Sequence, residues 1–182
     1  AGALGEINGV DYLVHLAAAA KRIDSEVRFL ILGEGKQEQH VRDMADRLGV
    51  LGKSFFMMKP IPKKDVPQIL SAADIATSLF IDLPEMRANS ANKFFDALAS
   101  GTPVAINYEG WQAKLLAETG AGKILDVKDV QSATEQLVRA IHDRKWLNQA
   151  GIAARKLAEH RFSRDILAQE LESLLLEAVA NQ

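Results

Sequence analysis

Apolar positions Val10, Leu13, Val14, Leu16 and Ala17 recur at helical spacing, and the run VRFLILGEG that follows is short, continuous and stopped by glycine. The first pattern predicts a helix with one buried face, the second a strand buried on both. The alternation repeats down the chain. KQEQHVRDMADRLGV places Val41, Met44, Ala45 and Leu48 on one face of a helix closed by Gly49, and SFFMM is the next strand. KKDVPQILSAA reads as a short helix with Pro67 in its early turns. Strand DIATSLF, a polar loop IDLPEMRANS, helix NKFFDALAS and strand PVAIN come next. Helix WQAKLLAETG, a short strand GKILD and helices over 130–143, 146–160 and 164–180 complete the pattern.

Short apolar strands alternating with helices predict an α/β domain, a doubly wound, Rossmann-like parallel sheet of about five or six strands covered on both faces. The last helix is expected to pack across the domain rather than extend the alternation. No linker, repeat or charge block interrupts the pattern, so residues 1–182 read as a single domain. AGALGEINGVDYL reads as the end of a strand running into a loop and helix, which leads us to expect one domain of a longer protein.

Ligands of doubly wound sheets bind beyond the carboxyl ends of the strands. Three loops lie there: Gly33, Glu34 and Gly35 after the strand FLIL, Lys59, Pro60 and Ile61 after FFMM, and IDLPEMRANS after DIATSLF. The glycine pair admits close approach to its backbone and precedes a helix start, or it is simply a turn between strand and helix. Neither the dinucleotide fingerprint nor the Walker loop is present, because Glu38 stands at the third glycine and no G-K-[ST] follows.

Lys93 is the residue that helix energetics alone would not place. It falls in the first turn of its helix with Asp96 one turn later, whereas the macrodipole favours acids at that end and an acid preceding a base. Asn89, Ser90, Ala91 and Asn92 supply small residues and candidate caps that expose several amides beside the lysine. Amides at a helix start together with one ammonium make an anion site, such as one for phosphate. Asp96 is placed to accept hydrogen bonds from a hydroxyl pair such as a ribose diol. Phe94, Phe95 and Leu98 form the buried side, and Trp111 reads as a packing residue.

Composition narrows the partners. A formal charge of -2 and 6% aromatic residues give neither a basic field nor stacking platforms for nucleic acid. The absence of cysteine excludes disulfides and thiolate chemistry and fits a reducing compartment. No apolar run approaches the roughly 20 residues of a spanning helix. His15, His40, His142 and His160 lack metal-ligand spacing and read as surface helical residues, so no metal is expected.

The order of GALGEINGVDYLVHLA, FLILGEGKQE, FFMMKPIPKKDVPQILSAADI and ANKFFDALASGTPVAIN resembles the carboxy-terminal, nucleotide-sugar-binding domain of group 1 (family 4) glycosyltransferases of the GT-B fold. The resemblance covers nearly the whole chain. NKFFDALASGTPV looks most like the bacterial branch that builds surface polysaccharides, including amino-sugar transferases. The resemblance implies that Asp96, where most members have Glu, holds the ribose of a UDP-sugar donor and that Ser90 to Lys93 meet its diphosphate. It also implies that Gly33, Glu34, Gly35 and Lys59 to Ile61 border a nucleobase, uracil in the first instance. Gly5 and Arg87 are further candidates. It further implies a retaining transferase without cofactor, acting from the cytoplasm or the inner membrane periphery on a lipid-linked or glycan acceptor. An amino-terminal domain outside this chain would hold that acceptor and any general base.

Two departures stand out. Many members carry Arg and Lys in the loop after the first strand, where this chain has Ala3 and Asn8, and a Glu where it has Ala88. Lys93 or Arg87 would then supply part of the missing charge, and Glu85 would replace the Glu if the loop differed in length. Two other readings remain open from the residues. One is a nucleotide-sugar epimerase of the same fold type, with Asp82 and Glu85 as its acid/base candidates; the other is a noncatalytic nucleotide-sugar-binding module.

Overall fold

The computed structural model describes residues 1–180. Its elements follow the apolar pattern in order: α1 (Val10–Ile23), β1 (Phe29–Leu32), α2 (Glu38–Arg47), β2 (Phe55–Met58), α3 (Val66–Ser71) and β3 (Ala76–Ser78). The second half contains α4 (Asn92–Ala99), β4 (Val104–Ile106), α5 (Trp111–Thr119), β5 (Gly122–Ile124), α6 (Val130–His142), α7 (Arg144–His160) and α8 (Arg164–Ala180). Every strand pairing is parallel, as in an α/β domain whose helices return the chain between strands.

The strands form two ladders rather than one continuous sheet. β1 pairs with β2, with Phe29 opposite Phe55, while β3, β4 and β5 pair in that order. A cleft of about 550 Å³ separates β1 from β3. Two apolar clusters correspond to the two halves. One gathers Leu16, Val41 and Phe55 with the inner faces of α1, α2 and α6; the other gathers Phe94, Leu98, Ile106 and Leu116 with α4, α5 and α7.

α4 is held by its buried face. Phe94, Ala97 and Leu98 are fully buried, and the Phe94 ring meets those of Phe95 and Trp111 edge to face at 5.5 and 6.1 Å. Trp111 also stacks on Phe95, and its indole N–H donates to Asn89 O at 2.9 Å, so this residue packs as the sequence suggests. The polar loop 81–90 is partly regular, with a 3₁₀ turn at Pro84–Ala88. After β3, the buried side chain of Asn107 accepts from Phe80 N–H and donates to Phe80 O, fixing the chain on which Leu79 lies.

Two expectations need correction. None of Asn89, Ser90 and Asn92 caps α4: Ala91 takes the N-cap position without a side-chain bond, because Asn89 Oδ1 is turned back to accept from Ala91 N–H. The last helix does not pack across the domain. No residue of α8 is buried, and Leu171, Leu174 and Leu176 are more than half exposed, because its leucines are spread around the helix rather than gathered in a stripe.

Phe94→Ala is expected to lower stability by about 3–5 kcal/mol, the cost of emptying a packed aromatic site. Ile152→Ala, at a largely exposed position on α7, should stay within about 0.5 kcal/mol. Urea unfolding of both variants measures the contrast, and equal effects would remove the anchor assigned to α4.

Candidate functional site

The loops after β1 and β2 and the start of α4 converge on a cavity of about 1030 Å³. Gly33 and Glu34 line it from the first loop, Pro60 and Ile61 from the second, and Ala91, Asn92, Lys93 and Asp96 from the helix. Eight of the residues singled out in the sequence therefore meet around one space. Gly35, Lys59, Asn89, Ser90, Gly5 and Arg87 do not line it.

The excluded residues have other work. Lys59 is exposed and pairs with Glu38 at 3.0 Å, and Arg87 pairs with Glu109 at 3.1 Å. Asn89 holds its own loop by donating to Met86 O. Gly5 precedes the 3₁₀ turn Glu6–Asn8, and Ser90 is exposed. Asp82 and Glu85 also lie outside the cavity lining, so no carboxylate of that loop faces the space.

The glycine pair proves to serve the chain's own backbone. A Cβ on Gly33 would lie 1.8 Å from Gly2 O, and one on Gly35 would lie 2.5 Å from Leu4 O. Gly2 N–H donates to Leu32 O at 2.9 Å and Leu4 N–H to Glu34 O at 2.8 Å. Residues 2–4 are thus laid against the end of β1, and this brings the following turn, with Asn8, beside α4.

Lys93 lies where that turn meets the end of β3. Its Nζ donates to Asn8 Oδ1 at 2.9 Å and to Leu79 O at 2.7 Å, and sits 4.1 Å from the centre of the Phe80 ring. All three partners are neutral. Burial without a compensating anion lowers its pKa to about 8. The ammonium therefore sits in a place that an anion would improve.

Asp96 stands one turn further along α4, facing the same cavity. Its backbone oxygen accepts from Ser100 Oγ, while its carboxylate has no hydrogen-bond partner among the described residues. At the start of α4, Phe94 N–H is used by Ala91 O, leaving the amides of Asn92 and Lys93 without protein acceptors among the described residues. α4 thus brings two amides, one ammonium and one carboxylate to a single space, in an order that suits an anion followed by a pair of hydroxyls.

Sequence reasoning missed Lys63 and Arg155, which also line the cavity. Arg155 comes from α7, with Nη1 donating to Ala99 O and Nε to Glu159. No local pattern marks it, because its approach depends on the packing of α7 against α4. All four histidines are exposed on helices, and among the described residues no group of three His, Asp or Glu side chains is arranged to hold a metal ion.

Comparison with known proteins places the chain in a family. Anabaena Alr3699/HepE, solved in complex with UDP-glucose, superposes with a TM-score of 0.80 at 19% identity, covering 97% of this chain and 48% of that one. The C-terminal domain of the group 1 family glycosyl transferase LpcC from Francisella tularensis superposes with a TM-score of 0.75 at 15% identity, covering 90% and 84%. These likenesses show the fold. A D-inositol 3-phosphate glycosyltransferase of Corynebacterium urealyticum is 25% identical over 149 residues, which are 78% of this chain and 34% of that relative's length. The chain spans about a third of that relative. The family described as glycosyl transferases group 1 matches residues 1–157, and the chain belongs to it.

Proposed function

We propose that this domain is the carboxy-terminal, donor-binding half of a glycosyltransferase that moves a sugar from a UDP-sugar to an acceptor. The observation that carries the reading is the joint exposure of Lys93 and Asp96, on successive turns of α4, to one cavity bordered by Gly33, Glu34, Pro60 and Ile61. The diphosphate meets the free amides of Asn92 and Lys93 and the Lys93 ammonium. The ribose hydroxyls meet the unpartnered Asp96 carboxylate, and the base lies toward Pro60 and Ile61.

Asn8 replaces a cation that many family members carry in that loop, and the Lys93 ammonium is bonded to the Asn8 side chain itself. The charge is thus supplied from α4 instead of from the loop, which supports a donor site that keeps its electrostatic character by a different route. Catalysis then consists of positioning the donor and neutralising charge on the leaving diphosphate. The acceptor, lipid-linked or glycan, and any general base belong to a second domain, and this domain alone is inactive. The motif NKFFDALASGTPV supports an N-acetylated amino sugar as donor, retention of anomeric configuration, and a place in bacterial surface-polysaccharide synthesis at or near the inner membrane. Among the described residues no helix is long and apolar enough to cross a membrane.

Calorimetric titration separates the two roles. Asp96→Ala is expected to weaken UDP and uridine together by about 1.5–3 kcal/mol, the scale of hydrogen bonds to a charged group. Lys93→Ala should weaken UDP, with a loss that shrinks as salt rises, and leave uridine nearly unchanged. Equal losses for uridine and UDP in Lys93→Ala, or no loss in either variant while the domain stays folded, would overturn the assignment.

The pH dependence follows from the lowered pKa. Phosphate binds the protonated lysine, and Lys93 loses its proton as pH rises through about 8, a range in which the phosphates of UDP are already ionised. UDP affinity should therefore fall above about pH 8 in the natural chain but stay flat in Lys93→Ala. Stability should move the opposite way: the unfolded chain binds more protons than the folded one between about pH 8 and the ordinary lysine pKa, so folding becomes more favourable as pH rises through that window. Titrations of affinity and of urea midpoint check the two signs.

A further inference from the structure

Five charged side chains line the cavity: Glu34, Lys63, Lys93, Asp96 and Arg155. Three of them are accounted for. Lys93 is bonded to Asn8 and Leu79, Arg155 donates to Ala99 O and Glu159, and Asp96 is assigned to the ribose. Glu34 and Lys63 are exposed, and among the described residues neither side chain has a hydrogen-bond or ion-pair partner. Each belongs to a loop that borders the base: Glu34 follows Gly33 after β1, and Lys63 comes two residues after Ile61. Backbone fixes both positions. Gly33 N–H donates to Met58 O and Glu34 O accepts from Leu4 N–H, so Glu34 is held between the end of β2 and residues 2–4. Pro60 and Pro62 restrict the second loop, and Asp65 N–H donates to Pro62 O to close the 3₁₀ turn Lys63–Asp65.

We propose that Glu34 and Lys63 select the base, the Glu34 carboxylate accepting from the ring N3–H of uracil and the Lys63 ammonium donating to the neighbouring carbonyl oxygen O4. The inference rests on the donor-site reading and adds the groups that tell one pyrimidine from the other. A carboxylate only accepts and an ammonium only donates. Uracil offers one N–H beside one carbonyl, which satisfies both. Cytosine has the same size but reverses this edge, with a bare N3 against the carboxylate and an amino group against the ammonium. Acceptor then meets acceptor and donor meets donor, so two charged groups lose their water without gaining a partner. The diphosphate is no alternative for Glu34, because two anions would repel. Its fit is to the uncharged end of the ligand, and Lys93 with the α4 amides serves the charged end.

Calorimetric titration with UDP, CDP, uridine, cytidine and inorganic pyrophosphate tests the assignment. The natural chain should bind UDP about tenfold or more tightly than CDP, and uridine over cytidine by the same factor, the scale of a two-bond base contact. In the double variant Glu34→Gln with Lys63→Met, this preference should shrink to about twofold or less through loss of UDP and uridine affinity. Pyrophosphate affinity should not change. Both positions are exposed, so the urea midpoint of the variant should stay where it is. The inference fails if the natural chain binds UDP and CDP alike or if the double variant keeps the preference. It also fails if the variant loses pyrophosphate as strongly as UDP, since Lys63 would then be a phosphate contact. Failure of the donor-site reading looks different: pyrophosphate would not bind the natural chain, or would bind Lys93→Ala equally well.

Discussion

An ammonium held between two neutral oxygens, Asn8 Oδ1 and Leu79 O, ties the half of the domain built on β1 and β2 to the half built on β3 to β5. Asn8 belongs to the first half, since its amide donates to Ala3 O and residues 2–4 run along the end of β1. Leu79 belongs to the second, directly after β3. Lys93 reaches both from α4, with its ammonium over the Phe80 ring. A buried ammonium is costly unless hydrogen-bonded, and neutral acceptors offset that cost only in part, as the lowered pKa shows. The same incomplete compensation that weakens the protonated state makes it responsive to an anion.

The geometry of this site depends on groups other than the charged side chains that face it. Phe94 lies between Lys93 and Phe95 in sequence, and its full burial against the aromatic cluster sets the rotation of α4 so that positions 93 and 96 face outward to the cavity. Across the cavity, Gly33 on its wall and Gly35 behind it allow residues 2–4 to approach closer than any side chain would permit. Asn107, buried in the second half, clamps Phe80 from both sides and so fixes the carbonyl of Leu79. Packing, backbone approach and an amide clamp thus converge on one cation.

Much of this was legible in the sequence because the elements are set by local pattern. The runs FLIL, FFMM and VAI could be read as buried parallel strands, and the odd placement of Lys93 before Asp96 pointed to the cavity-facing side of α4. What escaped was non-local. The two meanings of the glycine pair could not be separated without knowing that residues 2–4 lie across it. Arg155 enters the cavity only because α7 packs on α4, and the capping role of Asn89 is lost because its side chain closes a local turn. The division into two ladders is a property of strand neighbours, to which hydrophobic periodicity is blind.

The two halves and the site are therefore not separate problems. Lys93 and Asp96 line both the cavity and the cleft between the ladders, so whatever fixes the spacing of β1 and β3 also fixes the distance from the α4 start to the Gly33–Glu34 loop. In the present arrangement that spacing is held at this end by two hydrogen bonds from one side chain. Each of them uses a proton of the ammonium, leaving a third for a ligand oxygen. An anion at that third position would bind the ammonium without dismantling its bonds to Asn8 and Leu79, so ligand binding and the joining of the two halves draw on the same charge and reinforce one another.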